Sequence, residues 1–98
     1  MVTQEQVIET LKKVYDPEIQ VDIWSLGLVY NIELEGKKVK ILMTFTSPMC
    51  PYGPALMDDA RRRVYAIDGV GEVQIELTFN PVWNPEKMTE EAKIALGI

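Results

Sequence analysis

The sequence has no histidine, only one cysteine and no long apolar run. Without histidine, a single chain lacks the usual general base, the serine–histidine–aspartate triad and the histidine-based metal sites. One cysteine excludes an internal disulfide, a Cys-x-x-Cys redox pair and a zinc site made of cysteines alone. The remaining chemistry has to depend on Cys50, on carboxylates and hydroxyls, or on a partner.

Signals for membranes are also missing. No apolar stretch approaches the ~20 residues that span a bilayer, and the N-terminus lacks the basic and apolar regions of a secretory signal. We therefore expect a cytoplasmic protein that does not associate with membranes and that keeps its thiol reduced.

Basic residues are scarce. Ten Lys and Arg stand against 15 Asp and Glu, which gives a net charge of −5 and a pI near 4.6. Such a balance disfavours binding to nucleic acid through a basic surface. The composition is otherwise that of a globular protein, and 98 residues fit one domain, so we expect residues 1–98 to form a single domain.

Hydrophobic periodicity predicts six elements. Thr3 and Gln6 form a capping box at the start of the first helix, which Pro17 prevents from continuing. Proline is favoured in the first helical turn, so Cys50 or Gly53 is the expected N-cap of the second helix. The predicted elements are a helix over 3–15, strands over 28–35 and 39–45, a helix from 51 or 54 to 67, a strand over 73–79 and a helix over 89–96.

This order, α-β-β-α-β-α, predicts a two-layer α/β (α+β) sandwich in which helices cover one face of a three-stranded sheet. The first two strands form an antiparallel hairpin through the turn at Gly36. A helical crossover places the third strand parallel to the second. The sequence leaves open which strand the third one neighbours.

The connection between the second strand and the second helix is the least ordinary segment. Residues 44–54 hold three of the six prolines, the cysteine Cys50 and the hydroxyls of Thr44, Thr46 and Ser47. Near a helix N-terminus the dipole favours the thiolate, the form that binds metals or attacks electrophiles. The alternative is that Cys50 is a small buried apolar residue in a loop stiffened by proline.

Two carboxylates, Asp16 and Glu18, flank Pro17 after the first helix. One interpretation is a solvated turn in which Asp16 holds the backbone through an Asx bond. The other is that both lie near Cys50 as oxygen ligands or as a general base. Carboxylates beside a thiol raise its pKa, a penalty that a divalent cation reverses, so such a cluster would suit metal binding better than nucleophilic catalysis.

Two further segments allow a structural and a functional interpretation. Gly27 precedes the first strand, where it permits a tight entry or a close backbone approach. Trp83, between Pro81 and Pro85, is either a partner contact or a cover for the edge of the core.

Five motifs, taken in order, resemble the domain of unknown function 59 family, also called the iron–sulfur cluster assembly-like or SufT/PaaD-like family. The match runs from about Val7 to Trp83. The motifs are Asp16-Pro17-Glu18, Val21-Asp22-Ile23, Leu26-Gly27-Leu28-Val29-Tyr30, Thr44-x-Thr46-x-x-Met49-Cys50-Pro51 and Val82-Trp83-Asn84-Pro85.

The resemblance implies a small α/β domain of the iron–sulfur assembly type and a role in maturing iron–sulfur proteins. Carried over by position, the family's site corresponds to Asp16, Glu18, Thr46 and Cys50, with Thr44 and Ser47 nearby. The PaaD branch adds a cysteine-rich zinc segment after this domain, and these 98 residues contain no second cysteine.

The leading hypothesis is a non-enzymatic accessory factor that uses Cys50 as a ligand for transient iron or an iron–sulfur cluster. A cluster usually takes four protein ligands, mostly cysteines, so an assembly protein, an apoprotein client or a second copy in a homodimer has to complete the site. The second hypothesis is an adaptor between the assembly machinery and its clients, in which Cys50 is incidental. A third, an enzyme with Cys50 as nucleophile, lacks a base with a pKa near neutrality.

Overall fold

The structure is a computed structural model that describes residues 2–17, 20–46 and 51–97. Three strands form one sheet, and three α-helices and a short 3₁₀ helix complete the described chain. The elements are α1 (Gln4–Leu11), β1 (Val29–Glu35), β2 (Lys38–Met43), α2 (Gly53–Tyr65), β3 (Glu72–Leu77), a 3₁₀ helix (Pro85–Lys87) and α3 (Glu90–Leu96).

The sheet order is β1-β2-β3, with β1 antiparallel and β3 parallel to the central strand β2. The predicted fold class is therefore confirmed, and the third strand neighbours the second. The helices α1 and α2 pack together and against the sheet. A hydrophobic core lies between the two layers, and its fully buried side chains include Val7, Leu11, Val14, Ile23, Leu26, Leu28, Val39, Ile41, Met43 and Val64.

The capping box predicted at the start of the first helix is confirmed, and α3 is capped at both ends. Thr3 and Gln6 exchange the two hydrogen bonds of a capping box, and Thr89 caps α3, which ends at the left-handed Gly97. These side chains satisfy backbone groups that have no partner within the helix.

Two predicted helix boundaries are wrong. The helix α1 ends at Leu11 rather than residue 15, because the chain from Val14 onward pairs with residues 21–23 instead of continuing the helix. The N-cap of α2 is Tyr52, not Cys50 or Gly53, and Gly53 is the first residue of that helix.

The helices of the described ranges are all too short or too polar to cross a bilayer.

Candidate functional site

The connection from β2 to α2 has ends that are packed together. The ring of Phe45 lies directly against Gly53, so closely that a Cβ atom at Gly53 would overlap it. Phe45 is buried and also meets Phe79 edge-to-face, with ring centroids 6.1 Å apart. Seven residues separate Phe45 from Gly53 in the sequence, and these two ends of the connection lie in direct contact. Cys50 and Ser47 belong to this connection but lie outside the described residues.

Thr44 lies at the start of the connection and is fully buried. Its backbone N–H donates to the Leu28 carbonyl at 2.8 Å, which extends the pairing of β1 with β2 by one residue. Its hydroxyl donates to the Phe45 carbonyl at the long distance of 3.4 Å. Thr46, two residues further on, is half-buried. Thr44 thus follows β2 directly, whereas the predicted strand continues to residue 45, and its role in a site stays a prediction.

Asp16 is buried, with 6% of its surface exposed, so the solvated turn is the wrong description of this residue. Its backbone N–H donates to the Val21 carbonyl at 3.0 Å, and its own carbonyl accepts from the Gln20 N–H at 2.8 Å. An Asx-type bond is present at Asp22, whose carboxylate accepts from the Ser25 N–H at 2.9 Å. Glu18 lies outside the described residues.

Three backbone hydrogen bonds connect the segment before Asp16 to Thr44. The N–H of Ile23 donates to Val14, that of Leu28 donates to Ile23, and that of Thr44 donates to Leu28, over 2.9, 3.1 and 2.8 Å. The turn after α1 and the end of β2 are therefore parts of one hydrogen-bonded layer. The proximity of the side chains of the predicted site stays a prediction.

Trp83 is half-buried, and its indole N–H donates to the Leu26 carbonyl at 2.7 Å. Its neighbour Val82 is 71% exposed. The indole thus anchors the C-terminal segment, residues 81–89, to the chain ahead of β1. A role of Trp83 as a partner contact stays a prediction.

Tyr30 and Lys87 take part in the same packing, although the sequence predicts a functional role for neither residue. The Tyr30 hydroxyl donates to the Pro81 carbonyl at 2.8 Å, and the Lys87 ammonium lies 5.1 Å from the centre of the Tyr30 ring. Burial raises the pKa of Tyr30, and the Thr44 side chain opposes that shift to a smaller extent. The phenol is therefore a donor at neutral pH. The two residues are far apart in the sequence, and no local spacing rule predicts their contact.

Among residues 2–17, 20–46 and 51–97, no three acidic or cysteine side chains come close enough to hold a metal ion. That search includes Asp16 but neither Glu18 nor Cys50. The donors present do not fit a resident cluster, because one thiolate cannot supply the four ligands that clusters usually take. A cluster would have to be a cargo that another chain helps to hold.

The sequence of residues 4–76 matches the family described as iron–sulfur cluster assembly protein. The chain belongs to this family. The Fe-S protein maturation auxiliary factor of Porphyromonas gingivalis is 43% identical over 96 residues, which covers 97% of this chain and 91% of the relative. The Fe-S protein maturation auxiliary factor SufT of Staphylococcus aureus is 36% identical, over 87% of this chain and 98% of that protein.

A longer relative contains the domain as a part. The iron-sulfur cluster carrier protein of a Synechocystis species is 28% identical over 80% of this chain, and the match covers 22% of that protein. None of these three names denotes an enzyme.

Solved structures agree with the fold. A domain of unknown function DUF59 from Bacillus anthracis superposes with a TM-score of 0.91 at 37% identity, covering 97% of this chain and 92% of that one. A conserved hypothetical protein from Thermotoga maritima gives 0.86 at 45% identity, with 99% and 96% covered. The resemblance to the domain of unknown function 59 family is confirmed.

Proposed function

We propose that this chain is a cytoplasmic, non-enzymatic accessory factor of iron–sulfur cluster assembly that carries or targets iron or a cluster to client proteins through Cys50. Two kinds of support exist: membership of the family and the position of the lone cysteine in a connection whose ends, Phe45 and Gly53, are packed together. In the sequence Cys50 precedes Gly53, the first residue of α2, by three residues, and a thiolate near a helix N-terminus is favoured by the helix dipole.

The rest of the proposed site consists of Asp16, Glu18, Thr44, Thr46 and Ser47. Asp16 supports it through its burial, which is unusual for a carboxylate and typical of one with a specific task. Its place in the hydrogen-bonded layer that ends at Thr44 supports it further. Oxygen donors of this kind would orient a partner or a metal beside the thiolate. The extent of one domain over residues 1–98 also stays a prediction.

The ligand count indicates transfer rather than storage. One thiolate per chain leaves most of the coordination to an assembly protein, a client or a second copy. Iron or a cluster that is bound partly by this chain and partly by another protein is transferred when a client supplies more thiolate ligands. Assembly proteins and apoprotein clients are therefore the proposed partners.

The test is to replace Cys50 by alanine in cells that depend on this protein and to measure the maturation of an iron–sulfur client enzyme. We expect maturation to be lost while the purified variant keeps the far-UV circular dichroism of the wild type. Arg62→Ala, on the exposed face of α2, is the matched control and should complement fully. Full complementation by Cys50→Ala would contradict the proposal.

Anaerobic reconstitution with iron and sulfide examines the ligand directly. We expect the wild-type protein to gain visible absorbance and to bind iron and sulfide, and Cys50→Ser to gain neither. Equal iron and sulfide contents in both proteins would show that the thiol is not the ligand.

An adaptor function is the second candidate, and the exposure of Val82 favours it. This apolar side chain is 71% exposed beside the anchored Trp83, on a segment well suited to partner contact. Pull-down with Val82→Asp, Trp83→Ala and Cys50→Ala discriminates the two functions. If only the changes at residues 82 and 83 remove partners and client maturation, the adaptor is the correct function and Cys50 is incidental.

A further inference from the structure

The outer edge of β1 is open. This strand lies at one end of the sheet and pairs only with β2 among the strands of the described chain. A β-bulge between Val29 and Asn31 shifts the register. Beyond the bulge, the backbone N–H and C=O groups of Asn31 and Glu33 face β2. Since successive residues of a strand direct their backbone groups to opposite sides, those of Ile32 and Leu34 point to the open edge.

A side chain occupies part of this edge. The Gln4 side-chain amide, at the first residue of α1, donates to the Ile32 carbonyl at 2.9 Å. The Gln4 amide thus occupies the acceptor to which a backbone N–H of an added strand would donate. Among the described residues one neutral hydrogen bond holds the glutamine side chain there, and a single bond of this kind contributes little net stability.

A groove runs beside the same edge. Its volume is about 190 Å³, and its walls include the half-buried apolar side chains of Ile8, Trp24 and Val29. An extended peptide that pairs with β1 would direct alternate side chains toward such a wall.

The charge around the edge selects the occupant. The elements α1 and β1 together carry four glutamates and no lysine or arginine. Among the described residues Glu9 pairs with Lys12 at 3.3 Å and Glu33 with Lys40 at 4.0 Å, while Glu5 and Glu35 make no ion pair. Lysine side chains on a strand that adds to this edge would attract these glutamates, whereas acidic side chains would be repelled by them.

We propose that the open edge of β1 and its groove form a docking site for an extended, lysine-bearing segment of a partner protein, which adds as a fourth strand and displaces Gln4 from Ile32. The docking site is independent of the proposed use of Cys50.

The probe is a capped nine-residue peptide in which valine and threonine alternate between terminal lysines. Titration into the ¹⁵N-labelled full chain should shift the amide signals of residues 31–35 and the side-chain amide of Gln4. Gln4→Ala keeps a good helix former at this position and removes the competitor for Ile32, so we expect it to tighten binding by about 2- to 10-fold.

Two matched peptides separate strand addition from other binding. The same peptide N-methylated at alternate residues keeps every side chain but loses its hydrogen bonds along one side, so its binding should be lost. A peptide with terminal glutamates should bind more weakly than the lysine peptide, and the difference should shrink as salt is added.

Four results would overturn the proposal. They are equal binding of the N-methylated peptide, equal binding of the glutamate peptide, shifts confined to residues away from β1, and no tightening by Gln4→Ala. A dimer of the free chain whose interface maps to β1 would overturn it as well, because a second copy would then be the occupant.

Discussion

The β1–β2 hairpin and the C-terminal segment, residues 81–89, are stabilised by contacts of different range. In the hairpin, Glu35 lies opposite Lys38 across the turn at Gly36, and each further pair follows from that register. In the C-terminal segment, Trp83 donates to Leu26 and Tyr30 donates to Pro81, across 57 and 51 residues of sequence.

The two regions differ in how much stability the protein loses when a contact is removed. Cross-strand pairs on the solvent side of the hairpin are exposed and individually weak. The contacts of the C-terminal segment are fewer, and they include partly buried polar groups that have no alternative partner once broken. We expect substitutions in the second region to cost more stability than matched substitutions in the first.

The largest difference should come from two glycines with positive φ. Gly27, at φ 76°, faces the Lys87 backbone so closely that a Cβ atom would overlap it, whereas Gly36, at φ 60°, has nothing within 4 Å. Alanine in the left-handed region costs about 1–2 kcal/mol, and overpacking adds about 1–3 kcal/mol. Urea unfolding should therefore show a loss of about 3 kcal/mol for Gly27→Ala and about 1 kcal/mol for Gly36→Ala. Equal losses would mean that the C-terminal segment moves away from Gly27 at no cost.

The next effect is expected at the indole of Trp83. Trp83→Phe keeps an aromatic ring but leaves the Leu26 carbonyl without its 2.7 Å donor, so the free energy of unfolding should fall by about 1–2 kcal/mol. Val82→Ala, at the exposed neighbour, should change it by less than about 0.5 kcal/mol. A larger effect at Val82 than at Trp83 would contradict the anchoring role of the indole.

A smaller effect is expected at the Tyr30 hydroxyl. Tyr30→Phe removes its 2.8 Å bond to Pro81, which should cost about 0.5–1.5 kcal/mol at neutral pH. Tyr65→Phe, at a ring that is 58% exposed, is the control and should cost less than about 0.5 kcal/mol.

The same residue predicts a pH dependence. Because the pKa of Tyr30 is raised above its ordinary value of 10.0 by burial, the folded state retains the proton that the unfolded chain has already lost. Its contribution is complete below pH 10 and decreases as the pH rises through the higher value in the folded state. Unfolding measured from pH 9 upward should show a steeper decline for wild type than for Tyr30→Phe, and parallel curves would contradict the shift.

The contrast between the two regions also explains what the sequence predicts. Alternation gives the hairpin and its register, and side chains such as Thr3 and Thr89 mark helix starts, because each of these signals acts within a few residues. The predicted end of α1 is wrong because the helix ends where Val14 pairs with Ile23, a contact with a segment beyond the helix. No local signal reports such a competitor.

The site divides in the same way. The sequence predicts a strand that ends near Thr44, but it does not predict the burial of Asp16, which depends on how the turn after α1 packs. The sequence likewise does not predict the packing of Phe45 on Gly53. A glycine that is needed because a side chain would not fit cannot be distinguished in the sequence from a glycine that is needed for a turn. Cys50, Glu18 and Ser47 lie outside the described residues, and their roles stay predictions.

The smallest effect should come from the charged face of α2, where every partner lies within four residues. Hydrogen bonds from Arg61 and then Arg62 hold the pKa of the exposed Asp58 below its ordinary value of 3.8. The stability that this carboxylate contributes is present above that value and decreases as the pH falls through the lowered one. Arg61→Gln should raise the pKa of Asp58 in an NMR titration, whereas Arg63→Gln, which removes a partner of Asp59, should leave it nearly unchanged. Equal shifts in both variants would show that the general positive charge of the helix face, rather than the specific bonds, sets this pKa; added salt would then abolish the shift in both.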